Sequence, residues 1–89
     1  MVALDLLGRR WTLRILWELR DGPVGFRDLQ GRCGGMSSSV LRARLVELIA
    51  EGLVQQGEGG YGLTPVGREL GVAIRPLTRW AERWRAGQA

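Results

Sequence analysis

Apolar positions along this chain fall mostly at helical spacing, in segments separated by Gly and Pro. Val2 to Leu7 is a short apolar stretch halted by Gly8, enough for one or two helical turns. From Trp11 to Arg20, Trp11, Ile15 and Leu19 recur at four-residue spacing with Leu16 beside them, while Leu13 and Trp17 lie on another side. A helix apolar on two sides is expected to be sandwiched between other elements. Asp21-Gly22-Pro23 breaks it. Val24-Gly25-Phe26 has the length of a minimal strand. A short helix over Arg27 to Cys33 turns Leu29 inward, and Gly34-Gly35 supplies the positive φ that a tight turn between helices often needs.

Ser37 stands where an N-cap belongs, its hydroxyl meeting an orphan amide of the next helix. That helix is predicted over Ser38 to Glu51, with Leu41, Leu45 and Leu48 as its core stripe and Gly52 as an αL cap. Two short helices around a Gly-bearing turn have the sequence shape of a helix-turn-helix. Leu53 to Leu63, with Gly57-Glu58-Gly59-Gly60 at its centre, reads as a hairpin. Thr64-Pro65 starts the last helix, Thr as cap and Pro in the first turn. Leu70, Ile74, Leu77, Trp80 or Ala81, and Trp84 mark one face of it as far as about Arg85. Pro76 is expected to kink it or split it in two.

The predicted fold class is mainly α (α+β): a winged helix-turn-helix domain spanning residues 1–89. It has a three-helix unit, a two- or three-stranded wing hairpin at 53–63, and a long C-terminal helix used for dimerisation. The helix-turn-helix occupies 26–51. Segments 1–20 and 65–86 supply dimer contacts.

Composition narrows the partners. The chain has 89 residues, a formal charge of +4, thirteen basic residues that are all Arg, and no His. A basic balance favours polyanions, most simply nucleic acid. Lack of His removes the usual general base and the commonest metal ligand. A single Cys makes neither an internal disulfide nor a thiolate metal cage. Hydrophobic residues make up 45% of the chain, more than a small monomer needs for its core, so either it packs very tightly or some apolar surface meets a partner. No apolar run approaches the roughly 20 residues that span a bilayer. The first residues carry no basic region and no clear cleavage site, so the expected location is the cytoplasm.

The residues also match a family pattern. Ala3-Leu4-Asp5-Leu6-Leu7-Gly8, Arg10-Trp11-Thr12-Leu13 and Ile15-Leu16 resemble the opening of HxlR-type regulators, relatives of the MarR family. The match continues at Leu19, Asp21-Gly22-Pro23, Phe26, Leu29, Ser37, Val40-Leu41, Arg44-Leu45, Glu47-Leu48 and Gly52-Leu53-Val54. Tyr61, Leu63-Thr64-Pro65-Val66-Gly67-Arg68 and Trp80 complete it. The resemblance implies a dimeric winged helix protein on operator DNA, usually a repressor and sometimes an activator, paired through its N- and C-terminal helices. Some members sense electrophiles or oxidants through a Cys just before the first helix. Here no Cys precedes Leu4, and Cys33 lies at the end of the first helix of the helix-turn-helix. The wing is also shorter than is usual in the family.

Reading DNA requires a helix in the major groove, polar side chains at its leading end and cations aimed at phosphates. With its leucines inward, the Ser38–Glu51 helix leaves Ser39, Arg42, Ala43 and Val46 on the open side. Ser37, Ser38 and Ser39 can donate to phosphate or base edges; the alternative is that Ser37 only caps and Arg42 is a solvated surface residue. Arg42 can reach a guanine edge, while Ala43 and Val46 suit a thymine methyl. Arg44 either pairs with Glu47 or holds a phosphate. Arg27 is a candidate phosphate contact, as are Arg9 and Arg10. Gln56 is the wing residue placed to enter the minor groove, where Glu58 would repel phosphates. Arg75, Arg79 and Arg83 face water, a partner carboxylate or DNA flanks, and water is the favoured reading. Leu4, Leu7, Trp11, Leu77, Trp80 and Trp84, with the outer face of Trp11 to Leu19, are the candidate dimer contacts, because buried Trp is enriched at interfaces; the alternative for Trp80 and Trp84 is intrachain core.

The expected partners are double-stranded operator DNA and a second copy of the chain. No cofactor or metal is called for, and no constellation in the sequence supports a small-molecule effector. The alternative is a winged helix adaptor that contacts protein and not DNA. Catalysis is set aside, since neither a nucleophile–base pair nor a phosphate-cradling loop is present.

Overall fold

Apolar side chains from each described helix meet in one buried cluster, the last helix reaching its edge through Leu70. The computed structural model describes residues 11–88. Its elements are α1 (Thr12–Glu18), α2 (Phe26–Arg32), α3 (Ser38–Ala50), β1 (Val54–Gly57), β2 (Gly60–Leu63) and α4 (Pro65–Gln88). From Thr12 onward this is the expected winged helix-turn-helix order; the helix expected over Val2 to Leu7 lies outside the described residues. Ile15, Leu16 and Leu19 of the α1 segment, Leu29 of α2, and Leu41, Leu45 and Leu48 of α3 are all buried together. Each such side chain contributes roughly 1.5–3 kcal/mol relative to full exposure. Cys33, Met36, Val24, Leu53, Val54 and Leu63 close the cluster from the turns and the hairpin.

The second apolar side of α1 is not sandwiched among the described residues. Leu13 and Trp17 remain 38% and 40% exposed. Arg20 lies over the Trp17 ring, its Cζ 3.9 Å from the centroid. Among the described residues this second apolar side is outer surface. Trp11 is the N-cap of α1 and not its first residue, with a left-handed backbone (φ 80°) unusual for a bulky side chain.

The hairpin is antiparallel, pairing Val54 with Leu63 and Gln56 with Tyr61. The expected third strand shrinks to one bridge: Val24 and Tyr61 exchange two backbone hydrogen bonds of 2.8 Å. Gly60, at φ +110°, makes that approach possible. A Cβ there would overlap the Val24 carbonyl.

Between α3 and α4 the chain forms a compact junction. Gly52 takes φ +75°, its N–H bonded to the Ile49 carbonyl, while the Leu53 N–H reaches the Leu48 carbonyl at 3.0 Å. This is the Schellman pattern that satisfies the last carbonyls of α3. Thr64 caps α4 as expected, its Oγ1 accepting from the Gly67 N–H at 3.0 Å. The same hydroxyl donates back to the Gly52 carbonyl, and the Thr64 N–H donates to the Leu53 carbonyl. Gly67 completes the contact, since a Cβ there would overlap the Leu53 carbonyl oxygen.

α4 runs unbroken through Pro76, so of the kink or division expected there the division does not occur. Pro76 is exposed. Leu70 and Ile74 are half-buried. Beyond them Leu77, Trp80 and Trp84 are each more than half exposed. Among the described residues no helix is long and apolar enough to cross a membrane.

Candidate nucleic-acid interface

The leucines of α3 settle which way the rest of that helix faces. With Leu41, Leu45 and Leu48 at 1% exposure or less, Ser38, Ser39, Arg42, Ala43 and Val46 all lie open to solvent. Val46 is 62% exposed. No acidic residue stands in the first turn of α3, so the positive end of its dipole is not offset there. Ser37 accepts from the Val40 N–H at 3.2 Å, the predicted cap, and shares a 3.3 Å hydrogen bond with the Ser39 hydroxyl. The cap leaves Ser38 free of any such bond among the described residues.

The arginines divide into those engaged by carboxylates and those that are not. Arg44 Nη1 donates to Glu47 Oε1 at 2.6 Å, with both side chains mostly covered. Of the two uses open to Arg44 in the sequence, the structure displays the ion pair. Arg32 pairs with Asp28 at 3.2 Å. Arg14 pairs with Glu18 at 2.9 Å and also donates to the Arg32 carbonyl at 2.8 Å, tying α1 to the end of α2. Arg27 and Arg42 have no ion pair among the described residues. Arg27 is exposed on the first turn of α2. Arg42 rests over the Phe26 ring, Cζ 4.7 Å from the centroid. Two unneutralised cations therefore stand near the leading parts of α2 and α3.

Gln56 is exposed on β1, opposite Tyr61. Phe26 and Tyr61 form a tilted ring pair 6.4 Å apart. Local spacing in the sequence does not relate Phe26 to Arg42 or Tyr61, so these contacts emerge only in the fold.

Away from α3, Trp80 and Trp84 stack on each other at 5.9 Å with their rings nearly parallel. A cleft of about 590 Å³ opens between α1 and α4, bordered by Leu16, Trp17, Val72, Ile74, Arg75 and Arg79 among others. Trp11 is partly covered by the core. Leu4, Leu7, Arg9 and Arg10 lie outside the described residues. Cys33 is buried, and burial is the main reason its thiol is pushed up from 9.0. Glu18 raises it further and Arg14 opposes the shift. Such a thiol is poorly nucleophilic. Among the described residues no acidic or Cys cluster suits a metal ion.

Comparison with known proteins agrees with this geometry. The sequence profile of the HxlR-like helix-turn-helix family matches residues 6–89. The uncharacterized HTH-type transcriptional regulator YvaP of Bacillus subtilis is 30% identical, the match covering 92% of this chain and 82% of YvaP. Quinone-bound YodB of B. subtilis superposes with a TM-score of 0.85 at 32% identity, over 92% of this chain and 93% of YodB. A possible HxlR family transcriptional factor of Thermoplasma volcanium gives the same TM-score at 31% identity, over 93% of this chain and 81% of its own.

Proposed function

The chain belongs to the HxlR-like helix-turn-helix family of transcriptional regulators, and from that premise we propose that it is a sequence-specific repressor, binding a pseudo-palindromic operator in the cytoplasm as a homodimer. The exposed face of α3 carries the reading. It is a helix held from behind by three leucines, with Ser38, Ser39, Arg42, Ala43 and Val46 in front. Arg42 reads a guanine edge and Ala43 and Val46 meet thymine methyls. Arg27 and the Ser37–Ser39 turn hold phosphates, and Gln56 reaches the minor groove from the wing.

Self-association rests on the distal half of α4. The exposed Leu77, Trp80 and Trp84 and the outer side of α1 are the surfaces a second copy would cover. Pairing about a two-fold axis would set two α3 helices about 34–36 Å apart, one turn of duplex.

Titration of duplex DNA at several salt concentrations tests the reading. Affinity is expected to fall steeply, with a log–log slope of about −0.9 per phosphate neutralised. Weak binding even at low salt would end the DNA reading in favour of a protein-contacting adaptor. Repression is tested by deleting the gene: transcription from the bound promoter should rise, and a fall would reverse the sign.

A further inference from the structure

On the reading of α3 as the helix that enters DNA, we propose that Phe26 is a positioning residue, whose ring holds the Arg42 guanidinium in the pose from which it reads a base pair. Phe26 opens α2 and Arg42 lies on the open face of α3, so their 4.7 Å contact joins the two helices of the motif at their solvent side. A free Arg samples many rotamers and loses that freedom on gripping a base edge. An aromatic face restrains the cation before DNA arrives.

Arg44 shows the contrast. Its charge is met by Glu47 at 2.6 Å, which holds the side chain but neutralises it. The Phe26 ring restrains Arg42 without cancelling its charge. Among the described residues Arg42 makes no hydrogen bond or ion pair, so its N–H donors remain available for a bidentate contact to guanine.

The ring is itself held in place. Phe26 is half-buried against the core and tilted by 58° on Tyr61. Tyr61 is pinned to Val24 by the two 2.8 Å backbone bonds, at the spot where Gly60 lets the wing come close. The position of Arg42 is therefore referred to the body of the domain through a fixed aromatic pair, and not through its own flexible stem.

Competition on a randomised duplex pool, with sequencing of the bound fraction, tests this. It is run on the parent protein, Phe26→Tyr, Phe26→Leu, Arg42→Ala and the double Phe26→Leu/Arg42→Ala. Phe26→Leu should reduce discrimination about two- to fivefold at one base pair per half-site, the pair that Arg42→Ala flattens. Other positions and the salt slope should stay unchanged. Phe26→Tyr should restore the parent profile, and Phe26→Leu should add nothing once Arg42 is gone. Because Leu at 26 also alters packing, mono- and trifluorinated phenylalanine at that position weaken the ring's negative face with little change of shape. Discrimination should fall stepwise along that series. A flat fluorination series, an equal loss at every base position, or additive losses in the double variant would overturn the role of Phe26 alone. A parent protein that enriches no sequence would overturn the DNA reading and this inference with it.

Discussion

Gly67 and Gly71 sit one turn apart on α4 and should respond to alanine with opposite signs. Inside a helix Ala is favoured over Gly by about 1 kcal/mol. At Gly71 nothing lies within 4 Å of an added Cβ, so Gly71→Ala should stabilise by roughly 0.5–1 kcal/mol. At Gly67 the new methyl would overlap the Leu53 carbonyl oxygen and come within 3.1 Å of its carbon. That carbonyl cannot swing aside, because it accepts the Thr64 N–H at 3.0 Å while the Leu53 N–H is bonded to Leu48. Relief requires a backbone shift at the α3–α4 junction, and because the obstacle is backbone the cost falls in the upper part of the usual overpacking range, about 2–3 kcal/mol. The propensity gain offsets part of that, leaving a net loss of about 1–2 kcal/mol. Urea denaturation followed by circular dichroism, at one fixed protein concentration, reads both variants against the parent. A loss of 1 kcal/mol corresponds to roughly 4–8 °C in Tm for a domain of this size. A Gly67→Ala protein as stable as the parent, beside a stabilised Gly71→Ala, would refute the close packing of α4 on Leu53.

Other expectations follow from the interface and the core. Arg42→Ala should weaken the selected operator by about 1–3 kcal/mol in fluorescence anisotropy; unchanged affinity with an intact fold would remove Arg42 from the reading face. Trp84→Ala should shift the protein toward monomer in sedimentation velocity, and an unaltered dimer would count against the α4 interface. Burial raises the Cys33 thiol, so the folded state holds that proton more tightly than the unfolded chain does. Its contribution to stability is complete below the ordinary thiol value of 9.0 and is lost as pH climbs through the raised folded value. Melting curves taken upward from pH 9 should therefore decline more steeply for the parent than for Cys33→Ala. The thiol should also label slowly with iodoacetamide at neutral pH, and labelling as fast as free cysteine would disprove its enclosure.

Much of this fold could be read from neighbouring residues. Ser37 caps α3, Gly52 ends it and Thr64-Pro65 begins α4, because each of those signals acts across a single turn of backbone. The Leu41, Leu45 and Leu48 stripe likewise announced both the buried and the open face of α3. What escaped was tertiary. The Phe26 ring under Arg42, the Gly60 approach to Val24, the Gly67 seat on Leu53 and the Arg14 bond to the Arg32 carbonyl all join residues far apart in the chain. No local period encodes such meetings. The exposed Trp17 and Leu13 show the converse: periodicity marks a side chain as apolar, but not whether its cover comes from the same chain. Pro76 is a local signal of the same kind that left two outcomes open, a kink or a division, and the continuous α4 excludes the division.

The tie between Thr64 and the Gly52 and Leu53 carbonyls has a geometric corollary. It fixes the hinge angle between the helix proposed to touch bases and the helix proposed to pair subunits. In a symmetric pair built on α4, that angle governs the distance between half-sites, while the side chains on α3 govern which letters are preferred. Spacing and lettering of a target are then controlled by separate residues, so a lineage can retune one by point substitution without disturbing the other.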